Sequence, residues 1–178
     1  YNIPDNTMPV STMLDRTFMA IDSIKENFNI RIAYYDDSLR NERIWQQYVS
    51  GALEGALEKG EIVPLLQPQV DFTGECIGAE MLMRWTHPTE GFLSPARFIP
   101  IIEKNGLIAK ADAYMWEQAV KLLAEWKKIG ADHLNLSVNI SPRDLYFMDV
   151  AEVIKGLTDK YDVNPKKLHL EITESVMM

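Results

Sequence analysis

The chain has a single cysteine, Cys76, among its 178 residues. No internal disulfide can form, and a lone thiol reads as a protein of a reducing compartment, the cytoplasm. No apolar run approaches the length of a membrane span, and no signal peptide opens the chain. Tyr1 to Arg43 contains no glycine, which excludes a phosphate-cradling turn there. No glycine loop of the P-loop type occurs elsewhere. An excess of positive charge is also missing. The 18 Lys and Arg are outnumbered by 26 Asp and Glu, for a net charge of -8. That balance argues against a nucleic-acid polymer as partner. A compact anion would need a metal or a local arginine to bind such a protein. His87 and His133 are not in metal-ligand spacing with each other. The chain starts at Tyr1 rather than Met, which reads as a piece of a longer polypeptide.

What is present is ordinary globular material, 47% hydrophobic and 25% charged, long enough for one domain with a sizeable core. Three stretches share one design: residues 78–85, 134–141 and 168–174. Each alternates as a strand with one apolar face does. Ala79, Met81, Met83 and Trp85 oppose Glu80, Leu82 and Arg84. Leu134, Leu136, Val138 and Ile140 oppose Asn135, Ser137, Asn139 and Ser141. Leu168, Leu170 and Ile172 oppose His169, Glu171 and Thr173. If the three strands share a sheet, Glu80, Asn139 and Glu171 converge. Two carboxylates and an amide oxygen are hard-cation ligands. Arg84, on the polar face with Glu80, is a candidate phosphate fork.

Along the chain, Val10, Met13, Leu14, Phe18, Ile21 and Ile24 recur at helical spacing behind Pro9, with Ser11 or Thr12 as the expected cap. Asn27 and Asn29 mark a turn, and Ile30 to Tyr35 reads as a strand. Asp37 to about Lys59 reads as a helical connector broken by Gly51, Gly55 and Gly60. From Gly60 on, strands and helices alternate. Ile62–Val70 and Cys76–Trp85 flank a turn and make a hairpin. Ser94-Pro95 starts a helix that Pro100 limits or kinks and Gly106 ends. Ala111 to Gly130 is a long helix with Met115, Ala119, Leu122, Trp126 and Ile129 as its apolar stripe. Val150, Val153, Ile154, Leu157 and Tyr161 form a further stripe, between the second and third polar-faced strands, which gives a βαβ unit. This alternation predicts an α/β fold with parallel strands covered by helices. An α/β barrel with its chemistry at the C-terminal strand ends fits. The roughly 120 residues after Gly60 are about half of the roughly 250 that such a barrel takes.

The same residues carry a family resemblance. Leu66-Gln67-Pro68, Gly78 through Pro88, Phe98-Ile99-Pro100 and Glu103-Lys104-Asn105-Gly106-Leu107-Ile108 follow in order. Ser137-Val138-Asn139-Ile140-Ser141 and Leu170-Glu171-Ile172-Thr173-Glu174-Ser175 complete the set. The chain resembles the EAL domain, the cyclic-di-GMP phosphodiesterase family, from about Ile44 to Met178. The signature triplet is Glu80-Met81-Leu82, with Met where the family usually has Ala. The acid is kept, so the change touches packing more than chemistry. Residues 1–43 are similar to the last helix and strand of a GGDEF domain, without that family's catalytic loop.

The resemblance implies a partial (βα)8 barrel over residues 61–178, behind a GGDEF-like remnant at 1–43 and a connector at 44–60. It implies hydrolysis of cyclic-di-GMP to pGpG with Mg2+ or Mn2+. It assigns Glu80, Asn139 and Glu171 to the metal, with Glu80, Glu171 and Glu174 as the catalytic acids. Glu174 would hold an active-site loop. Gln67, Leu82 and Arg84 fall on the ligand side. The family's next motif, a pair of aspartates, and the later lysine, acid and glutamine do not occur in this chain, which is therefore expected to be inactive alone. The expected partners are cyclic-di-GMP, an upstream GGDEF domain and further copies of the chain. The alternative is a non-catalytic cyclic-di-GMP receptor or protein-interaction module. His87 reads as a loop residue, and His169 lies on the polar face beside Glu171. Trp116 and Trp126 read as packing residues, and Cys76 as structural.

Overall fold

The computed structural model of the chain describes residues 7–25, 27 and 29–172. Two compact units emerge, residues 1–48 and 49–178. In the first, α1 spans Val10–Ile24. The expected side-chain cap does not form: Pro9 occupies the cap position, and Ser11 and Thr12 lie inside the helix. The Asn27–Asn29 turn does form, with the Asn29 N–H donating to Asn27 Oδ1 at 3.2 Å. The strand expected over Ile30–Tyr35 does not. A strand is held by ladder bonds to a neighbour, and none of the strand pairings involves this segment. Ile32 and Tyr34 stay exposed. Asp36 then caps α2 (Asp37–Glu58), accepting from the Ser38 N–H at 2.7 Å and the Leu39 N–H at 3.3 Å. The Ser38 hydroxyl, which also donates to Asp36, and then these N–H groups hold the Asp36 carboxyl below its usual range. The helix runs unbroken through Gly51 and Gly55. Only Gly60, at φ 69°, lies beyond its end.

Among the described residues, the second unit is built on a five-stranded sheet. Its strands are β1 (Ile62–Val70), β2 (Cys76–His87), β3 (Gly91–Leu93), β4 (Asn135–Ile140) and β5 (Leu168–Ile172). The order is β1-β2-β4-β5, with β3 paired to β2. β1 and β2 form the expected antiparallel hairpin, whereas β2–β4 and β4–β5 are parallel. Parallel pairs need helical crossovers. The first crossover carries α3 (Ile99–Lys104) and α4 (Ile108–Lys128), the second α5 (Asp144–Phe147) and α6 (Val150–Tyr161). This is an α/β architecture, a segment of a barrel wall. Among the described residues no helix is long and apolar enough to cross a membrane.

The alternation read in β2 holds: Ala79, Met81, Met83 and Trp85 are buried, and Glu80, Leu82 and Arg84 are half-buried. Trp85 packs edge-on against Phe98, with ring centroids 5.6 Å apart. In β4, Ser137 is buried along with Leu136, Val138 and Ile140. A central strand with neighbours on both sides covers part of its polar face as well. In β5, an outer strand, Leu170 and Ile172 remain 42% and 59% exposed. The stripe expected on α4 is rotated. Met115 and Ala119 are buried as read, but with Ala111, Asp112, Trp116, Val120 and Leu123, while Ile129 is 75% exposed. The helix read as starting at Ser94-Pro95 is two pieces, a 3₁₀ turn at Pro95–Arg97 followed by α3 with Pro100 in its first turn. Proline is tolerated there because that N–H has no intrahelical acceptor.

One glycine is required by packing. Gly78 of β2 pairs with Asn135 of β4, and a Cβ on it would lie 2.3 Å from the Asn135 carbonyl oxygen. Its bare backbone is what lets β4 lie against β2 at this rung.

Candidate active site

Strand register sets out the site. Gln67 of β1 lies opposite Glu80 of β2. Glu80 pairs with Ser137 of β4, and Asn139 of β4 pairs with Glu171 of β5. Ser137 and Asn139 are two residues apart and so share a face. The row Gln67, Glu80, Asn139, Glu171 therefore crosses four strands. Asn139 Nδ2 donates to Glu80 Oε1 at 2.9 Å, which joins two of the expected ligands directly. Glu80, Asn139 and Glu171 are half-buried and Gln67 is exposed. Glu174 and Thr173 lie outside the described residues.

Asn139 is held from behind. Trp116 of α4, fully buried, donates from Nε1 to the Asn139 carbonyl oxygen at 3.1 Å. Two residues on, the Ser141 N–H donates to Asp144 Oδ2 at 2.8 Å. These contacts pin the end of β4 to α4 and α5.

A cleft of about 360 Å³ meets this row at Asn139, while Gln67, Glu80 and Glu171 do not line it. Leu82, Arg84, Glu103, Asp112, Asn139 and Ser141 contribute to its wall. Arg84 Nη1 donates to the Met83 carbonyl oxygen at 2.8 Å. Ser141 Oγ lies 3.4 Å from Glu103 Oε1. Burial and the neighbouring Asp144 charge push the Asp112 carboxyl up to about 9.

The donor types of Glu80, Asn139 and Glu171 fit a hard divalent cation. The amide nitrogen of Asn139 faces Glu80, so its oxygen is the atom left for a cation. Among the described residues no group of three or more His, Cys, Asp or Glu is placed to hold a metal ion. The three residues are thus a partial donor set rather than a closed cage.

Other residues resolve into local roles. His87 is buried, and its Nδ1 accepts from the Thr89 and Glu90 N–H groups at 3.2 and 3.0 Å, which tightens the turn after β2. His169 is exposed. Cys76 is exposed as well, its thiol 3.4 Å from the Gly78 carbonyl oxygen, so it does not serve the core. Sequence reasoning missed Asp112, Asp144 and Glu103. The available signal was Asp112 itself, an acid lying between Ile108 and Met115 on what proves to be the buried face of α4.

The EAL domain profile matches residues 50–178. Cyclic di-GMP phosphodiesterase PA2567 of Pseudomonas aeruginosa is 38% identical over 113 residues, 63% of this chain and 19% of that protein. The bifunctional diguanylate cyclase/cyclic di-GMP phosphodiesterase MucR of the same organism is 30% identical over 146 residues, 82% of this chain and 21% of that protein. The solved structure of the PaMucR phosphodiesterase in complex with c-di-GMP superposes with a TM-score of 0.67 at 31% identity, covering 71% of this chain and 51% of that one. The chain thus spans about a fifth of these curated relatives and about half of the solved structure. With the motifs, the strand order and the match over residues 50–178 in agreement, the chain belongs to the EAL domain family.

Proposed function

We propose that the protein carrying this chain hydrolyses cyclic-di-GMP to linear pGpG at a divalent-cation site, Mg2+ or Mn2+, held by Glu80, Asn139 and Glu171. The observation that carries this reading is the 2.9 Å hydrogen bond from Asn139 Nδ2 to Glu80 Oε1. It ties two donors together across β2 and β4 and leaves the amide oxygen of Asn139 as the atom available to a cation. Glu171, paired with Asn139 in register, supplies the second carboxylate. A bound cation would neutralise phosphate charge and give a nucleophilic water at neutral pH. The chain's own residues bind and orient. Trp116 fixes the Asn139 backbone, and Arg84 offers a planar fork to phosphate oxygens. Gln67 and Leu82 face the ligand. The names of PA2567 and MucR and the c-di-GMP in the PaMucR structure support this substrate.

Residues 61–178 supply part of the barrel, 44–60 a connector, and 1–43 the end of an upstream GGDEF-like module. By itself the chain offers two carboxylates and one amide oxygen, too few to fix a coordination shell, and is inactive alone. The exposed Leu170 and Ile172 on the outer strand β5 favour self-association. The test is product analysis. Purified full-length protein with cyclic-di-GMP and Mg2+ or Mn2+ should form pGpG. Saturable binding without pGpG would make the domain a receptor, and neither binding nor turnover would overturn the reading.

A further inference from the structure

Two carboxyl groups meet inside the protein beside the cleft. Asp144, at the start of α5, is completely buried, and Asp112 of α4 is 6% exposed. Asp144 Oδ2 accepts from the Ser141 N–H at 2.8 Å. The other oxygen, Oδ1, is buried and among the described residues meets no hydrogen-bond donor. The Asp112 carboxyl lies beside that of Asp144, within hydrogen-bonding reach of it and of the Ser141 backbone. Two carboxylate oxygens both accept, so they cannot bond to each other unless one carries a proton. A proton on one carboxyl supplies the donor that the pair otherwise lacks.

Two adjacent buried carboxyls do not both ionise. We propose that Asp112 and Asp144 share one proton at neutral pH and, as a hydrogen-bonded positioning pair, hold the exit of β4 so that Asn139 faces Glu80. Burial and the neighbouring acids favour the protonated pair, and the hydrogen bond from the Ser141 backbone opposes them. Asp144 comes from α5, and Glu103 of α3 adds a further negative charge. From β2, Arg84 is, among the described residues, the one basic side chain on the cleft wall. Arg143, next to Asp144, turns away to the Lys104 carbonyl oxygen at 3.2 Å. Burial and the Asp144 charge make Asp112 the holder of the proton.

The grip on β4 then has two points. Trp116, one turn after Asp112 on α4, takes the Asn139 carbonyl oxygen, and the acid pair takes the Ser141 N–H. Asn139 is the first of these points, and Ser141 is two residues on. Loss of the shared proton would set two buried charges against each other and loosen the second point. The consequence for Asn139 rests on the proposed metal role, whereas the shared proton does not.

Infrared spectroscopy of the full-length protein in D2O tests the proton. At pH 7 exposed carboxyls are ionised, so a carboxylic-acid carbonyl band reports a buried protonated acid. The wild-type protein should show this band, lose it only as pH rises well above the usual carboxylate range, and lack it at pH 7 in Asp112→Asn, whose amide donates to an ionised Asp144. Absence of the band from the wild type, or its persistence in Asp112→Asn, overturns the pairing. Should that variant not fold, the wild-type titration alone decides. Mn2+ binding, read by electron paramagnetic resonance, tests the positioning. Asp144→Ala should weaken it by about tenfold, the scale of lost second-layer support around a metal ligand. Asp144→Asn should restore it, because an amide accepts from Ser141 and donates to Asp112. Equal Mn2+ affinity in Asp144→Ala and wild type would refute the positioning role. Band present but no Mn2+ bound by the wild type would fail the metal reading and leave the pair standing. Mn2+ bound but no band would do the reverse.

Discussion

Replacing Gly78 by Ala should part β4 from β2 at their first rung. The added Cβ would lie 2.3 Å from the Asn135 carbonyl oxygen, 3.1 Å from its carbon and 3.2 Å from its nitrogen. Relaxed C···O contacts lie at about 3.3–3.6 Å, so the strands must separate by roughly 1 Å. Every atom struck is backbone, and no rotamer change relieves the overlap. Overpacking of this kind costs about 1–3 kcal/mol, and the rigid neighbour puts this case at the upper end. The smaller entropy of an unfolded alanine offsets about 0.4–1 kcal/mol. The net loss is therefore about 2 kcal/mol. Urea unfolding followed by fluorescence of the buried Trp85 and Trp116 measures it as a lower midpoint at unchanged slope. Gly51→Ala is the control. It sits inside α2 with nothing within 4 Å of its added Cβ, and should stabilise by about 0.5–1 kcal/mol. A Gly78→Ala protein as stable as the wild type would refute the claim that this close approach sets the β2–β4 register.

Further outcomes follow from the same contacts. Trp116→Phe keeps most of the ring but leaves the Asn139 carbonyl oxygen without its donor. It should cost about 1–3 kcal/mol in urea unfolding, and an unchanged midpoint would mean the bond at 3.1 Å carries no weight. Hydrogen bonds from Lys160 and then Tyr161 hold the Glu117 carboxyl down at about 2. A depressed carboxylate stabilises above its unfolded value and loses that contribution as pH falls through its folded value. Its side chain is 29% exposed, so screening limits the effect, and Glu117→Gln should cost about 1 kcal/mol at pH 7. The gap from wild type should close between about pH 4 and pH 2 in acid denaturation, and a gap that is constant with pH would contradict the assignment. In sedimentation the isolated chain should associate through the exposed apolar residues of β5, and a monomer at high concentration would argue against this.

Much of the site was legible because strands with one apolar face announce themselves. Glu80 and Asn139 alternate with Met81, Met83, Val138 and Ile140, and the core takes the second set. Their convergence needed only parallel neighbours, which the helical stretch between them implies. Other features depend on contacts distant in sequence. Asp112 read as one polar residue on a helix, because its partners Asp144 and Ser141 arrive from beyond β4. The buried face of α4 was misphased for a related reason. Leu122, Trp126 and Ile129 are as apolar as Trp116, Val120 and Leu123, and only docking on the sheet chooses between the two rows. Ile30 to Tyr35 has the composition of a strand, yet composition cannot supply the neighbour that makes one.

The central claim is that Glu80 binds a catalytic cation at the end of the β2–β4 pair. Steady-state conversion of cyclic-di-GMP to pGpG at limiting Mg2+, measured for the full-length protein and its Glu80→Gln variant, tests it most directly. Gln preserves the shape of the side chain and an oxygen to accept from Asn139, at 2.9 Å in the wild-type chain, while removing the charge. The account predicts an active wild type and a folded variant without measurable turnover. Near-normal turnover by Glu80→Gln would contradict it.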